Sequence, residues 1–172
     1  MVKLLDKIEF STADGDHLIL TGDIINKGPD SGGVVDLARE LGASCVRGNH
    51  EDRILLLRHE MVTMGTLSTG DEKNIKLHEP SEKEVLERTL ARSLTDAQAR
   101  WLNSCPVILD VGLIPGMGQV VVVHAGLVPG VDLEKQDPST VMTMRTLDLD
   151  THVPSDSSEG MNWAKVSFLS IF

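Results

Sequence analysis

The chain has 172 residues, 41% of them apolar and 24% charged, which suits one globular domain with a hydrophobic core. Its formal net charge is −10 and it carries no basic stripe, which argues against a nucleic-acid-binding surface. The sequence has no run of about eighteen apolar residues and no long apolar stretch at its N-terminus, so it predicts neither a membrane segment nor a secretory signal.

The first third of the chain predicts strands and helices in alternation. The predicted elements are a helix, a turn, a strand, a helix, a strand and a helix, at residues 3–10, 14–16, 17–21, 34–41, 44–46 and from 49 onward. Glu51 and Asp52 suit the positive N-terminal end of the last helix and are interpreted as helix-start charges. This order is typical of a parallel sheet covered by helices, so the predicted fold class is α/β.

The rest of the chain predicts two capped helices and a hairpin. Residues 61–80 are polar and irregular and predict a loop. Ser81 with Glu84, and Thr95 with Gln98, have the spacing of capping boxes. The β-branched runs at 107–111 and 119–123, joined by a Gly/Pro turn, predict an antiparallel hairpin, and residues 148–160 predict a surface loop. The whole pattern predicts a layered domain of mixed sheet and helices.

Three polar side chains follow three of the predicted strands. Asp23, Asn49 and His124 each stand directly after a strand or its closing glycine. Ligands of α/β sheets gather at the carboxyl ends of strands, and Gly22 and Gly48 would let a metal or a phosphate approach the backbone closely. The pattern therefore predicts a shared metal or phosphate site.

Each of these residues also has a structural interpretation when it is taken alone. Asp23 could cap a turn, Asn49 could cap the following helix, and His124 could be a hydrogen-bonded core histidine. A plain α/β domain would then have acquired three such residues independently, each beside or near glycine. The shared site explains all three with one cause.

The residues around this site resemble a known superfamily. Residues 22–29, 48–51 and 123–126 read Gly-Asp-Ile-Ile-Asn-Lys-Gly-Pro, Gly-Asn-His-Glu and Val-His-Ala-Gly. In this order they resemble the central motifs of the calcineurin-like metallophosphoesterases, over about residues 4–165. Residues 26–31 are most similar to the branch of symmetrical bis(5′-nucleosyl)-tetraphosphatase, which includes proteins similar to the fungal zinc-dependent endopolyphosphatase.

The resemblance implies a metal-dependent hydrolase of phosphoester or phosphoanhydride bonds that uses two divalent ions, of zinc, manganese or iron. Asp23 would bridge the two ions, and Asn49 and His124 would bind the second one. His50 would not be a ligand but would donate a proton to the leaving oxygen. The implied partner is a phosphorylated or polyphosphate substrate.

Two departures bear on the substrate. Lys27 and Arg47 are the cations that would contact phosphate, but Lys27 stands where the protein phosphatases of this family have an arginine, and lysine cannot form a bidentate fork. Asn26 stands where those phosphatases have an aspartate paired with the catalytic histidine. An asparagine cannot stabilise an imidazolium by charge. Both departures favour a dinucleoside polyphosphate or polyphosphate substrate, with a serine/threonine protein phosphatase as the alternative.

Two further motifs of the superfamily are not found in the sequence. An Asp-x-His is absent before Asp23, and no Gly-His follows His124, since His152 lies in a polar segment. The first metal ion would keep only Asp23 as a ligand, and the second would lack one ligand. We therefore expect weak metal binding and doubtful activity. We also expect a chain truncated at both ends, with residues 166–172 as an apolar tail. A catalytically silent binding or regulatory module on the same fold is the alternative.

The cellular location is unknown from the sequence. The two cysteines, Cys45 and Cys105, form neither a zinc-finger spacing nor a disulfide framework, which predicts buried, reduced thiols. As given, the sequence is typical of a cytoplasmic protein. A vacuolar location stays open if a longer N-terminus carried a signal.

Overall fold

A computed structural model of the chain describes residues 1–67, 81–148 and 150–165. The predicted loop at 61–80 lies largely outside these residues, as does the apolar tail at 166–172. The chain divides into two compact units: the first comprises Met1–Leu20, Ile24–Ser44 and His50–Ser104, and the second Thr21–Asp23, Cys45–Asn49 and Cys105–Phe172. The assignment of residues 1–172 to a single domain stays a prediction. No helix in the described ranges is long and apolar enough to span a bilayer.

The first unit is mostly helical. Its elements are α1 (Val2–Lys7), β1 (Ile19–Leu20), α2 (Ser31–Glu40), β2 (Ser44–Cys45), α3 (Asn49–Thr63), α4 (Glu82–Ser93) and α5 (Asp96–Ser104). Two of them cross the boundary between the units: Cys45 of β2 and Asn49 of α3 belong to the second unit. A 3₁₀ turn at Thr12–Asp14 occupies the start of the predicted turn. β1 and β2 pair in a two-stranded sheet, and both are shorter than the sequence predicts.

Side-chain caps explain where these helices begin. The Asp30 carboxylate accepts a hydrogen bond from the Gly33 N–H at 2.8 Å and starts α2. Both predicted capping boxes are confirmed: Ser81 and Glu84 exchange hydrogen bonds at 2.8 and 3.3 Å, and Thr95 and Gln98 do so at 2.9 and 3.2 Å. The predicted loop at 61–80 begins too early, since α3 continues to Thr63.

The core of the first unit lies between α2, α3, α4 and α5. Seven fully or almost fully buried side chains form it: Ile25, Val35, Ile54, Met61, Ala91, Leu94 and Leu102. Ile54 and Met61 lie two turns apart on one face of α3, whereas Leu56 on another face is 62% exposed. Burial of each large apolar side chain stabilises the fold by about 1.5–3 kcal/mol.

Buried charges connect α3 to α4 and α5. Arg58 is 8% exposed and donates to the Ala91 carbonyl at 2.8 Å and to the Asp96 carboxylate at 2.6 Å. Glu87 is 1% exposed and accepts from Arg53 Nε at 2.5 Å. Since a buried charge is tolerated when it is paired, these contacts determine how the helices pack.

The second unit is built around a hairpin. It contains β3 (Ile108–Ile114), β4 (Gly118–Val123), a 3₁₀ turn at Leu133–Lys135, α6 (Pro138–Thr143), β5 (Thr146–Leu147) and β6 (Pro154–Ser155). β3 and β4 pair antiparallel from Ile108 opposite Val123, which confirms the predicted hairpin. The surface loop predicted at 148–160 is wrong in part, since it contains β6, which pairs with β5.

The α/β class is confirmed, although within the described ranges the strands form three two-stranded sheets. Both cysteines are buried and no disulfide joins them, as predicted.

We expect Ile54→Ala to destabilise the protein by about 2–5 kcal/mol, because it removes a fully buried side chain and leaves a cavity in the core. The matched control on the same helix is Leu56→Ala, which is expected to change stability by less than about 0.5 kcal/mol. Urea denaturation followed by circular dichroism measures both. Equal effects of the two substitutions would contradict the packing described above.

Candidate functional site

Asp23 and His124 lie side by side in the second unit. His124 Nε2 is 3.3 Å from Asp23 Oδ1, and the two side chains are 18% and 20% exposed. The other ring nitrogen, Nδ1, lies 2.7 Å from the carbonyl oxygen of Thr21. Because a carbonyl can only accept, Nδ1 carries a proton, and the Nε2 of a neutral ring turns a lone pair towards the carboxylate.

This geometry suits two ligands of one divalent cation. Two atoms that each lie about 2.1 Å from a tetrahedral metal are about 3.4 Å apart. A histidine ligand usually donates its second N–H to a carbonyl or carboxylate, as Nδ1 does here to Thr21. Asp23 and His124 therefore present the chemistry of a metal-binding pair.

Gly22 lets the Gly-Asn-His-Glu motif at residues 48–51 approach His124. Its φ is +85°, and a Cβ added to it would lie 2.7 Å from His124 Nδ1 and 2.8 Å from the backbone nitrogen of Gly48. Gly48 is buried and directly precedes Asn49, the first residue of α3. The segments that carry Asp23, Asn49 and His124 thus meet at the backbone of Gly22, all within the second unit.

Two non-glycine residues of the first motif have left-handed backbone conformations. Asp23 has a φ of +53° and Asn26 a φ of +76°. Such conformations are uncommon for residues with a Cβ, cost about 1–3 kcal/mol each, and cluster at functional sites. The surrounding hydrogen bonds must hold them in place.

In the first unit, His50 pairs with Asn26. The Asn26 Nδ2 lies 2.8 Å from His50 Nδ1. An amide nitrogen only donates, so Nδ1 accepts, and the neutral ring carries its proton on Nε2. Lys27 is exposed in the same segment, and Arg47 is half-buried in the second unit, where its backbone N–H donates to the Pro106 carbonyl at 2.8 Å.

Glu51 has a different environment from the one that the sequence suggests. Its interpretation as a helix-start charge is confirmed, since it lies in the first turn of α3, but the side chain is 0% exposed. One of its carboxylate oxygens accepts hydrogen bonds from the backbone N–H groups of Ile24 at 2.9 Å and Ile25 at 3.2 Å. Its place in the Gly-Asn-His-Glu motif was the signal that could have indicated this role.

Within the part of the chain that the structure describes, no group of three or more His, Cys, Asp and Glu side chains could hold a metal ion. Asp23 and His124 are the two metal-competent side chains that the structure brings together, and Asn49 is exposed at the first position of α3.

Comparison with known proteins identifies the family. A model of the calcineurin-like phosphoesterases matches residues 1–168. The chain belongs to this family. It is 32% identical over 135 residues to the symmetrical bis(5′-nucleosyl)-tetraphosphatase of Nitrosospira multiformis, which covers 77% of this chain and 41% of that relative. It is also 32% identical over 143 residues to the protein of the same name from Hamiltonella defensa, with 81% and 42% covered.

A solved structure supports the same assignment. The crystal structure of a candidate diadenosine tetraphosphatase superposes with a TM-score of 0.72 at 30% identity, over 95% of this chain and 62% of that one. The fold class and the resemblance to the tetraphosphatase branch are thus confirmed, and the family is one of phosphoester hydrolases. None of the relatives named here is a fungal endopolyphosphatase, and that part of the resemblance stays a prediction. The chain spans 41% and 42% of the two curated relatives.

We expect Gly22→Ala to destabilise the protein more than Gly15→Ala does. Both glycines are left-handed, with φ of +85° and +93°, so both substitutions strain the backbone by about 1 kcal/mol. Only the Cβ at position 22 collides with the His124 ring and Gly48, since nothing lies within 4 Å at position 15. The collision is expected to add about 1–3 kcal/mol, measurable by denaturant unfolding. Equal losses would show that Gly22 is needed for its φ alone.

Helix α6 supports the residues that follow His124. The Val141 carbonyl in α6 accepts from the Ala125 N–H at 2.9 Å, and Asp137 caps the helix by accepting from the Thr140 N–H at 2.7 Å. Hydrogen bonds from the backbone N–H and then the hydroxyl of Thr140 hold the pKa of Asp137 below its ordinary value. Because the folded pKa is the lower one, Asp137 stabilises the fold above its unfolded pKa, and this contribution disappears as the pH falls through the folded pKa.

Asp137→Ala is therefore expected to lower the Tm at neutral pH, and the difference from wild type is expected to vanish in acid below the folded pKa. Asp132→Ala is the control, because Asp132 precedes a 3₁₀ turn without capping it through its side chain. Thermal melts over a pH series measure both variants. A Tm loss at Asp137 that is constant with pH would contradict the cap.

Proposed function

We propose that this chain is a metal-dependent phosphoanhydride hydrolase that acts on dinucleoside polyphosphates or polyphosphate. The observation that carries the proposal is the 3.3 Å approach of His124 Nε2 to Asp23 Oδ1, with the Nε2 lone pair turned to the carboxylate by the Thr21 carbonyl. The family match over residues 1–168 and the names of the relatives support it.

Asp23, Asn49 and His124 would hold one divalent ion, which we propose to be zinc, manganese or iron. When bound, such an ion polarises phosphoryl oxygens and activates water. Asp23 supplies the negative charge, and the neutral His124 ring and the Asn49 amide supply further donors. The complete family uses two ions, and for the other ion these motifs supply Asp23 alone.

His50 is proposed as the proton donor to the leaving oxygen. The contact of its Nδ1 with the Asn26 amide, at 2.8 Å, would leave Nε2 to face the leaving oxygen, and the proton would come from the protonated ring. Lys27 and Arg47 are proposed to attract the substrate phosphates, whose approach to a chain of net charge −10 requires local positive charge.

The preference for anhydrides over phosphoproteins is supported by two residues. Asn26 pairs with His50 through an amide that brings no negative charge, whereas the protein phosphatases of the superfamily have an aspartate there. Lys27 offers a point charge and not a planar fork. Both fit a flexible polyphosphate chain better than one phosphate monoester held in a fixed orientation.

The test compares Asp23→Ala and His124→Ala with His17→Ala, an exposed histidine that bonds Ser44 Oγ at 2.8 Å. Titration calorimetry with Mn²⁺ or Zn²⁺ is expected to show at least about tenfold weaker binding for the two site variants and no change for the control. Phosphate release from diadenosine tetraphosphate, long-chain polyphosphate and a phosphopeptide is measured with the same proteins.

We expect at most slow turnover of one of the two anhydrides by wild type, because these motifs supply only Asp23 to the other ion, and we expect that turnover to be lost in both site variants. Faster release from the phosphopeptide would overturn the substrate class in favour of a protein phosphatase. A well-folded wild type that binds neither metal would overturn the enzymatic proposal and favour a silent module.

A further inference from the structure

Side chains hold the segment that follows Asp23, and they do so at three consecutive amides. The backbone N–H groups of Ile24 and Ile25 donate to Glu51 Oε1, at 2.9 and 3.2 Å, and that of Asn26 donates to Ser31 Oγ at 3.1 Å. In a regular element these amides would donate to main-chain carbonyls. The conformation of residues 24–26 therefore depends on Glu51 and Ser31.

Glu51 is the more deeply buried of the two acceptors, and it binds two of the three amides. The side chain is 0% exposed, as is that of Ile25, to which it bonds. A buried carboxylate is tolerated only when hydrogen bonds replace its hydration, and charge-assisted bonds of this kind are roughly twice as strong as neutral ones. Loss of the carboxylate would release two amides in a dry environment.

The same segment sets the state of the His50 ring. Asn26 directly follows Ile25, has a left-handed φ of +76°, and donates from Nδ2 to His50 Nδ1 at 2.8 Å. His50 and Glu51 are neighbours in the first turn of α3. Glu51, in the first turn of α3, thus holds residues 24–26 in place. Asn26 in turn orients the ring of His50.

We propose that Glu51 is a positioning residue: its buried carboxylate fixes residues 24–26 and, through the Asn26 amide, fixes the orientation of the His50 ring with its proton on Nε2. The kinetic consequence rests on the proposed function, whereas the state of the ring does not. Glu51 acts through Asn26 and does not touch the reacting atoms.

Glu87 is the matched control for Glu51, because it is a buried glutamate whose contacts join two helices. It is 1% exposed, lies in the same unit and accepts from Arg53 Nε at 2.5 Å, while its other carboxylate oxygen lies 3.8 Å from Lys83 Nζ. Its contacts involve side chains of α3 and α4, with no contact to residues 24–26 among them. Glu51→Ala and Glu87→Ala therefore both remove a buried carboxylate, but only the first releases the segment.

The decisive measurement is the ¹⁵N chemical shifts of the His50 ring in the whole chain, recorded at alkaline pH, where imidazole is neutral. Wild type and Glu87→Ala are expected to show one tautomer, with the proton on Nε2. Glu51→Ala and Asn26→Ala are expected to show averaged shifts of both tautomers. Glu51→Gln, which keeps a carbonyl acceptor for the two amides, is expected to restore the wild-type pattern.

The kinetic measurement uses Mn²⁺-saturated protein and diadenosine tetraphosphate. Glu51→Ala is expected to lower kcat at least about tenfold with KM nearly unchanged, since an oriented proton donor contributes about 10²–10⁴-fold. Glu51→Gln is expected to recover most of this loss, and Glu87→Ala to keep the wild-type kcat per folded molecule.

The outcomes separate the two proposals. A wild type that shows the Nε2 tautomer but no hydrolysis contradicts the proposed function and leaves the positioning role standing. A single tautomer in folded Glu51→Ala, or mixed tautomers in Glu87→Ala as well, overturns the positioning role. If Glu51→Ala does not fold, Glu51→Asp, which withdraws the carboxylate by one methylene, is read in the same way.

Discussion

The hydrogen bond between His124 Nδ1 and the Thr21 carbonyl, at 2.7 Å, decides which ring nitrogen meets Asp23. Because Nδ1 is held by Thr21, Nε2 is the ring nitrogen that meets the Asp23 carboxylate oxygen, at 3.3 Å. Two electron-rich atoms at this distance attract each other only when a proton or a metal cation accompanies them.

Close backbone packing makes that arrangement geometrically possible. Gly22 leaves no room for a Cβ beside the His124 ring and the Gly48 nitrogen. On the other side of His124, Gly126 meets Met144 and Trp163, where a Cβ would lie 2.6 and 2.8 Å from their side chains. Both glycines permit segments distant in sequence to approach more closely than any other residue type would allow.

Side chains of the first unit fix the conformation of residues 24–26, which follow Asp23. Its helices are joined by a buried apolar core and by paired charges such as Arg58 with Asp96. Against this framework, Glu51 binds the amides of Ile24 and Ile25, and Asn26 binds His50. The carboxylate is thus used as an internal hydrogen-bond acceptor, whereas most other acidic residues in the described part of the chain are at least partly exposed.

The sequence alone determined the features that depend on near neighbours. The two capping boxes, the hairpin of β3 and β4 and the motifs around Asp23, Asn49 and His124 could be predicted because each rests on residues a few positions apart. Only the tertiary structure decided the contacts between distant segments. His124 and Thr21 are 103 positions apart, and Glu51 reaches the amide of Ile24 across 27. Whether an acidic residue at a helix start is solvated or buried depends on what the fold packs against it, and no local pattern contains that information.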